Sequence, residues 1–307
     1  MITKRTLNGV AMVYDAMINT LDHVLVGQDR VKKIVASSIL CDTNSRILLT
    51  GNTGVGKTTL SNFLATGFKS ERISVTSDMI PSDVQEQLRH KTDMSLLQVD
   101  EFNRASGKLQ STFIELFAEN QMTVDGVKIP FHDFYVLATQ NSTDIAGIFN
   151  VPQAVYDRFD VNIYFDSLTE AEKRALLFRG FSPASGLDID MRHVTATKRV
   201  IDDFPMSEKD EDLMMKVFNV IDKMILDNQP LFAGSNIRAH KYALRLVKLY
   251  ALTQQRTYLL PTDIIDFLNY VYMHRINQNV AKIGDKEVID KFDDAKNKIN
   301  SIRRKFF

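Results

Sequence analysis

The segment "GNTGVGKTT", Gly51 to Thr59, sets Gly51 and Gly56 with four residues between them directly before Lys57 and Thr58. That pattern suits a phosphate chain: Gly51, Gly54 and Gly56 let the backbone curl so that N–H groups point inward, with Asn52, Thr53, Val55 and Thr59 completing the loop. Lys57 is a mobile positive charge for terminal phosphates, and the Thr58 hydroxyl is a candidate ligand for Mg²⁺. Composition alone would give such a pattern in roughly one chain in a hundred of this length, so its placement between an apolar run and a helical pattern matters.

A second constellation is "LLQVDEFNRA", residues 96–105, where Asp100 and Glu101 stand side by side at the end of an apolar run. Two adjacent carboxylates repel unless a cation or a polarised water offsets the cost. Downstream of a phosphate-binding loop, Asp100 is expected to support the metal's water shell and Glu101 to face the attacking water. "VLATQN" ends in Asn141, whose amide could be aimed at a phosphate or at that water. Arg158, between Asp157 and Asp160 in "VYDRFD", reads on its own as a local ion pair.

These residues need a scaffold. "SRILLTG", "ERISVTS", "SLLQVDE", "FYVLATQ" and "VNIYF" are short, apolar and bounded by polar residues or Gly, as buried parallel strands are, and helical patterns separate them. The fold class expected is therefore α/β, a central parallel sheet in a core spanning 1–166. After Phe165 the strands stop and helical patterns continue, giving an all-α domain over 167–280, with Ser167 and Glu170 at the spacing of a capping box. Residues 281–307 form an amphipathic C-terminal helix: Val288, Phe292, Ala295, Ile299, Ile302 and Phe306 step by four and three, and packing back on the same chain is the favoured reading of that stripe.

The bulk properties narrow the function. Lys plus Arg and Asp plus Glu are both 38, so no charge excess draws the chain to nucleic acid or an anionic membrane. One cysteine, Cys41, leaves no intrachain disulfide framework, and no apolar run reaches spanning length, so a cytoplasmic location is expected.

The ordered series "GNTGVGKTT", "SDMIPSD", "LLQVDEFNRASGKLQSTFIELFAENQMTVDG", "FYVLATQN", "VPQAVYDRFD", "GSNIRA", "LLPTDI" and "MHRI" resembles the MoxR family of AAA+ ATPases, from about Val24 to about Ile276. The resemblance implies a P-loop AAA+ core followed by a helical lid. It also implies an enzyme that hydrolyses ATP with Mg²⁺ in a ring of its own copies, hexameric as a rule, and remodels a protein client, with von Willebrand factor A-type domains as the indicated partners. By the same resemblance, Lys57 and Thr58 belong to Walker A, Asp100 and Glu101 to Walker B with its base, and Asn141 to sensor 1. Arg158 matches the arginine finger serving a neighbour, and Arg238 matches the sensor 2 arginine that touches nucleotide. Arg104 is typical of the family without an assigned contact.

The chain departs from the family pattern at Thr53, where Pro is frequent, and in a shortened segment between Pro81 and Leu96. Gln98, a polar residue inside the Walker B strand, is expected to face a helix. A nucleic-acid-associated AAA+ motor is the alternative, weakened by the neutral charge and the lack of a recognisable nucleic-acid module. No base-reading motif decides between ATP and GTP.

Overall fold

The computed structural model describes residues 2–141, 149, 151–178, 186–187, 190–228, 236–276 and 286–302. In chain order its elements are α1 (Lys4–Asp22), α2 (Asp29–Cys41), β1 (Arg46–Thr50), α3 (Lys57–Ala65), β2 (Ser70–Ser74), α4 (Pro81–Leu88), β3 (Leu96–Asp100) and a 3-10 turn at Phe102–Arg104. There follow α5 (Gly107–Glu119), β4 (Gln121–Val124), β5 (Val127–Pro130), β6 (Tyr135–Gln140), α6 (Gln153–Tyr156) and β7 (Val161–Tyr164). The remainder is helical: α7 (Glu170–Phe178), α8 (Met191–Asp202), α9 (Glu208–Asn228), α10 (Ile237–Thr253), a 3-10 turn at Pro261–Ile264, α11 (Ile265–Ile276) and α12 (Lys286–Ser301).

The five apolar runs are the five strands of one parallel sheet, in the order β2-β3-β6-β1-β7. Strands β1, β3 and β6 are buried along their whole length, which is why they read as unbroken apolar runs. Phe102, Phe113, Phe117 and Phe159 form an aromatic cluster with ring centroids 5.3 to 6.2 Å apart, anchoring the turn after β3 and the residue after Arg158.

Three features were not foreseen. A β4–β5 hairpin follows α5, turned by Asp125 and Gly126 at φ 50° and 79°; the Asp-Gly pair is its signal. Arg46 is fully buried, its guanidinium donating to the Phe134 carbonyl and the Asn120 side chain and lying 4.5 Å from the Phe134 ring centroid. Finally, the capping box of α7 is Thr169 with Glu172, not Ser167 with Glu170. The Thr169 N–H donates to Glu172 Oε2 at 2.6 Å and the Glu172 N–H to Thr169 Oγ1 at 3.3 Å, so the helix starts two residues later than the spacing suggested.

The chain divides into two compact units: residues 17–39 with 43–190, and residues 1–16 and 40–42 with 191–307. The first holds the sheet and α7. The second is helical, with α12 packed on α9 and α11 and Phe292, Ala295 and Ile299 of its stripe fully buried. Inside this unit His240 of α10 stacks on Phe218 at 4.3 Å and bridges the Tyr272 hydroxyl at 2.8 Å and Asp222 at 3.0 Å. Phe306 and the side chain of Val288 lie outside the described residues.

Candidate functional site

In an open parallel sheet the carboxyl ends of the strands, beside the strand where chain order reverses, form the natural ligand crevice. Here β1 lies between β6 and β7, and the loop leaving β1 is "GNTGVGKT". Gly54 and Gly56 hold φ of 81° and 102°, and a Cβ on Gly56 would stand 2.9 Å from the Leu25 side chain. Helix α3 begins at Lys57, so the N–H groups of its first turn have no helical acceptors.

The Lys57 ammonium folds back onto its own loop, 2.6 Å from the Gly51 carbonyl and 2.7 Å from that of Asn52, and burial holds its pKa below the ordinary lysine value. Those carbonyls mark where a cation is wanted when no phosphate is present to receive it.

Beside this loop is a cavity of about 450 Å³. It is lined by Thr53 to Thr59, Glu101, Thr139 and Asn141, and by the apolar residues Val24, Leu25, Val26, Leu168 and Leu176. The structure thus brings together the loop, Glu101 and Asn141, which are far apart in sequence. Asp100 stands next to them on β3, 7% exposed.

The adjacent acids are separated by backbone geometry. Asp100 ends the strand, whereas Glu101 turns into the left-handed region at φ 56°, ψ 42°, a strained conformation for a residue with a Cβ. Thr139 ties the pair: its hydroxyl accepts from the Glu101 N–H at 3.2 Å and donates to Asp100 Oδ1 at 3.3 Å. The Glu101 carboxylate is half exposed and meets Arg104 Nε at 2.9 Å, the contact that sequence left open for Arg104. The Asn141 amide donates to Thr53 Oγ1 at 3.0 Å, so the residue at which the loop departs from the family pattern touches Asn141 directly.

Beneath the loop runs a buried polar chain. Gln140 donates to Thr50 Oγ1 at 2.9 Å, Thr50 to Asn162 at 2.6 Å, Asn162 to the Tyr164 hydroxyl at 3.0 Å, and Tyr156 to Gln140 Oε1 at 3.4 Å. Burial pushes the Tyr156 hydroxyl up to about 12 and that of Tyr164 higher still, so both stay protonated. The chain fixes Thr50 and Gln140, the residues immediately before Gly51 and Asn141. Sequence offers only polar residues inside apolar strands as its signal. Gln98 is one of these, and it donates to Ser61 of α3 at 2.7 Å, the helix-facing role expected for it.

Residues 46–161 match the ATPase family associated with various cellular activities (AAA), and residues 232–292 match the AAA lid domain. The chain is 27% identical over 294 residues to Chaperone MoxR1 of Mycobacterium tuberculosis, covering 86% of this chain and 75% of that protein. It is 28% identical over 168 residues to Protein MoxR of Methylorubrum extorquens, with 49% and 48% covered. The chain belongs to the AAA ATPases, with relatives named MoxR. A crystal structure of an ATPase candidate from Cytophaga hutchinsonii superposes on this AAA chain with a TM-score of 0.72 at 25% identity, covering 94% and 96% of the two chains.

Arg158 and Arg238 are not among the residues that line the cavity. Arg158 follows α6, its N–H bonded to the Val155 carbonyl, while Asp157 accepts from Gln153 and Asp160 from the Arg46 N–H. Arg238 is exposed in the first turn of α10, in the helical unit.

Sequence reasoning also passed over Val24 to Val26 and the turn behind them. Gly27, at φ 64°, packs so closely that a Cβ there would come within 1.5 Å of Glu172 Oε1, and Gln28 donates to the Asp166 carbonyl at 2.8 Å. The isolated Gly in "VLVGQD" is the one visible sign.

Proposed function

We propose that this AAA ATPase hydrolyses Mg·ATP in a ring of its own copies, hexameric as a rule, and uses the cycle to remodel a protein partner. The observation that carries the reading is the convergence of the glycine loop, Glu101 and Asn141 on one cavity that also has an apolar lining. The loop N–H groups and Lys57 hold the phosphates, and the apolar residues Val24, Leu25, Val26, Leu168 and Leu176 pack against the base, leaving backbone groups to distinguish ATP from GTP.

The donor set fits Mg²⁺. Thr58 and Asp100 offer hydroxyl and carboxylate oxygens, suited to a hard cation, and among the described residues no group of three or more His, Cys, Asp or Glu side chains forms a protein cage. The metal, when bound, supplies charge neutralisation across the phosphates. Glu101 takes the proton of the attacking water, and its left-handed backbone aims it away from Asp100 into the cavity. Asn141 orients the water or the γ-phosphate. Arg158 of a neighbouring copy and Arg238 of the lid add guanidinium charge as the transition state spreads negative charge over phosphoryl oxygens.

Homology to a protein named as a chaperone supports a protein client, and the family resemblance points to von Willebrand factor A-type partners. No described helix is long and apolar enough to cross a membrane.

The test separates binding from turnover. Glu101→Gln retains nucleotide binding and loses at least about a hundredfold in turnover, as removal of a positioned general base does. Lys57→Ala loses binding itself. Near-normal phosphate release by Glu101→Gln would remove Glu101 from its role.

A further inference from the structure

Asp100 is already engaged by an arginine. On β2, Arg72 donates from Nε to Asp100 Oδ2 at 2.8 Å, and its Nη2 donates to the same oxygen. Strand register explains the meeting. Strand β2 runs parallel to β3 with Arg72 opposite Gln98 and Ser74 opposite Asp100, and alternate residues share a face, so Arg72, Gln98 and Asp100 all look toward α3. Gln98 reaches Ser61 on that helix, and Arg72 Nη1 lies 3.4 Å from Asn62 Oδ1.

With Thr139 on Oδ1, three protein donors occupy a carboxylate that has about four lone-pair sites, leaving one for a further donor such as a metal-bound water. The two partners differ in exposure: the Asp100 side chain is 10% exposed and the Arg72 side chain 45%. A nearly buried carboxylate would be costly without a counter-ion, and a half-exposed arginine is the partner able to move.

We propose that Arg72 is the resting counter-ion of Asp100, which incoming Mg²⁺ works against, so that Arg72 sets the Mg²⁺ concentration at which the nucleotide site loads. The inference rests on the reading of Asp100 as the metal-supporting carboxylate. Arg72 is a positioning residue here, neutralising and orienting Asp100 without touching the nucleotide. Two effects oppose each other when it is removed. Loss of the fork frees Asp100 to rotate, which would weaken metal support, and loss of the positive charge beside Asp100 would strengthen it. Thr139 still holds Oδ1 and β3 is buried throughout, so orientation is largely retained and the charge effect wins.

The measurement uses the full chain with a saturating, slowly hydrolysed ATP analogue, following the thermal midpoint as free Mg²⁺ is raised from a chelated start. Arg72→Gln should unfold at a lower temperature without Mg²⁺, yet reach half of its Mg²⁺-dependent stabilisation at a concentration about five- to tenfold below that of the unsubstituted chain. Arg72→Lys keeps the charge and loses only the two-point fork, so its Mg²⁺ midpoint should not fall below that of the unsubstituted chain. A merely structural role would lower both melting curves by the same amount and leave the Mg²⁺ midpoint in place. That result, or a higher midpoint, in Arg72→Gln overturns the proposal. If Arg72→Gln does not fold, Arg72→Met, a second neutral replacement that keeps an apolar stem, decides by the same criterion. Absence of any Mg²⁺-dependent shift in the unsubstituted chain would instead remove the metal reading of Asp100 on which the proposal stands.

Discussion

At the scale of the residue, the site's polar groups have substitute partners within the chain: Lys57 has loop carbonyls, Glu101 has Arg104 and Asn141 has Thr53. Binding a phosphate chain exchanges these weak local contacts for charge-assisted ones. Lys57 gives a pH-dependent consequence. Burial lowers its pKa in the free protein, so the ammonium begins to lose its proton below the ordinary lysine range, whereas bound phosphate favours the protonated form. Nucleotide affinity should therefore fall as pH rises into the alkaline range, with the loss starting below the ordinary lysine value of about 10.4. Binding titrations with a fluorescent ATP analogue from neutral pH upward check this, with Lys57→Arg, which does not titrate there, expected to bind more weakly but without the alkaline loss. Equal alkaline loss in both proteins would assign the titration elsewhere. The placement of Lys57, Asp100 and Glu101 was legible in sequence because each sits at a fixed offset from a strand end. The partners Arg72, Thr139 and Thr53 were not, because they arrive across the sheet from other strands and loops, and strand register is not written in any one segment.

At the scale of the element, the strands were legible and the punctuation less so. Full burial makes a parallel strand an uninterrupted apolar run, so all five were visible. The β4–β5 hairpin alternates weakly and β5 is mostly exposed, so only Asp125-Gly126 betrays it. The α7 start slipped by two residues because "SLTEAE" offers two overlapping capping spacings, Ser167 with Glu170 and Thr169 with Glu172, and only the second closes in three dimensions. For α12 the heptad-like stripe indicated a buried face, and it packs within the helical unit. Phe292, 1% exposed, should therefore cost about 3–5 kcal/mol when replaced by Ala, whereas Asp294→Ala on the outer face should stay within about 0.5 kcal/mol. Chemical denaturation of both variants decides; a Phe292→Ala chain as stable as the parent would mean that the stripe contributes no packing.

At the scale of the whole molecule, the proposed function draws on more than one copy. The cavity is lined by its own loop, Glu101 and Asn141, while Arg158 is not among the lining residues and stands at the end of α6, next to the buried Phe159 of the aromatic cluster. An arginine so placed suits service to a neighbour's nucleotide. The central claim is an ATPase whose site is completed in trans, and mixing defective subunits before assembly tests it directly. Glu101→Gln lacks the base but presents an intact Arg158, and Arg158→Ala has the reverse defect. In an equal random mixture about one interface in four, half times half, joins an intact site to an intact arginine. Steady-state phosphate release should then recover to as much as about a quarter of the unsubstituted rate if sites fire independently, and to a smaller but measurable fraction if they are coupled. Each variant alone should stay near background. No recovery at any mixing ratio, with co-assembly verified by sedimentation, would contradict the claim.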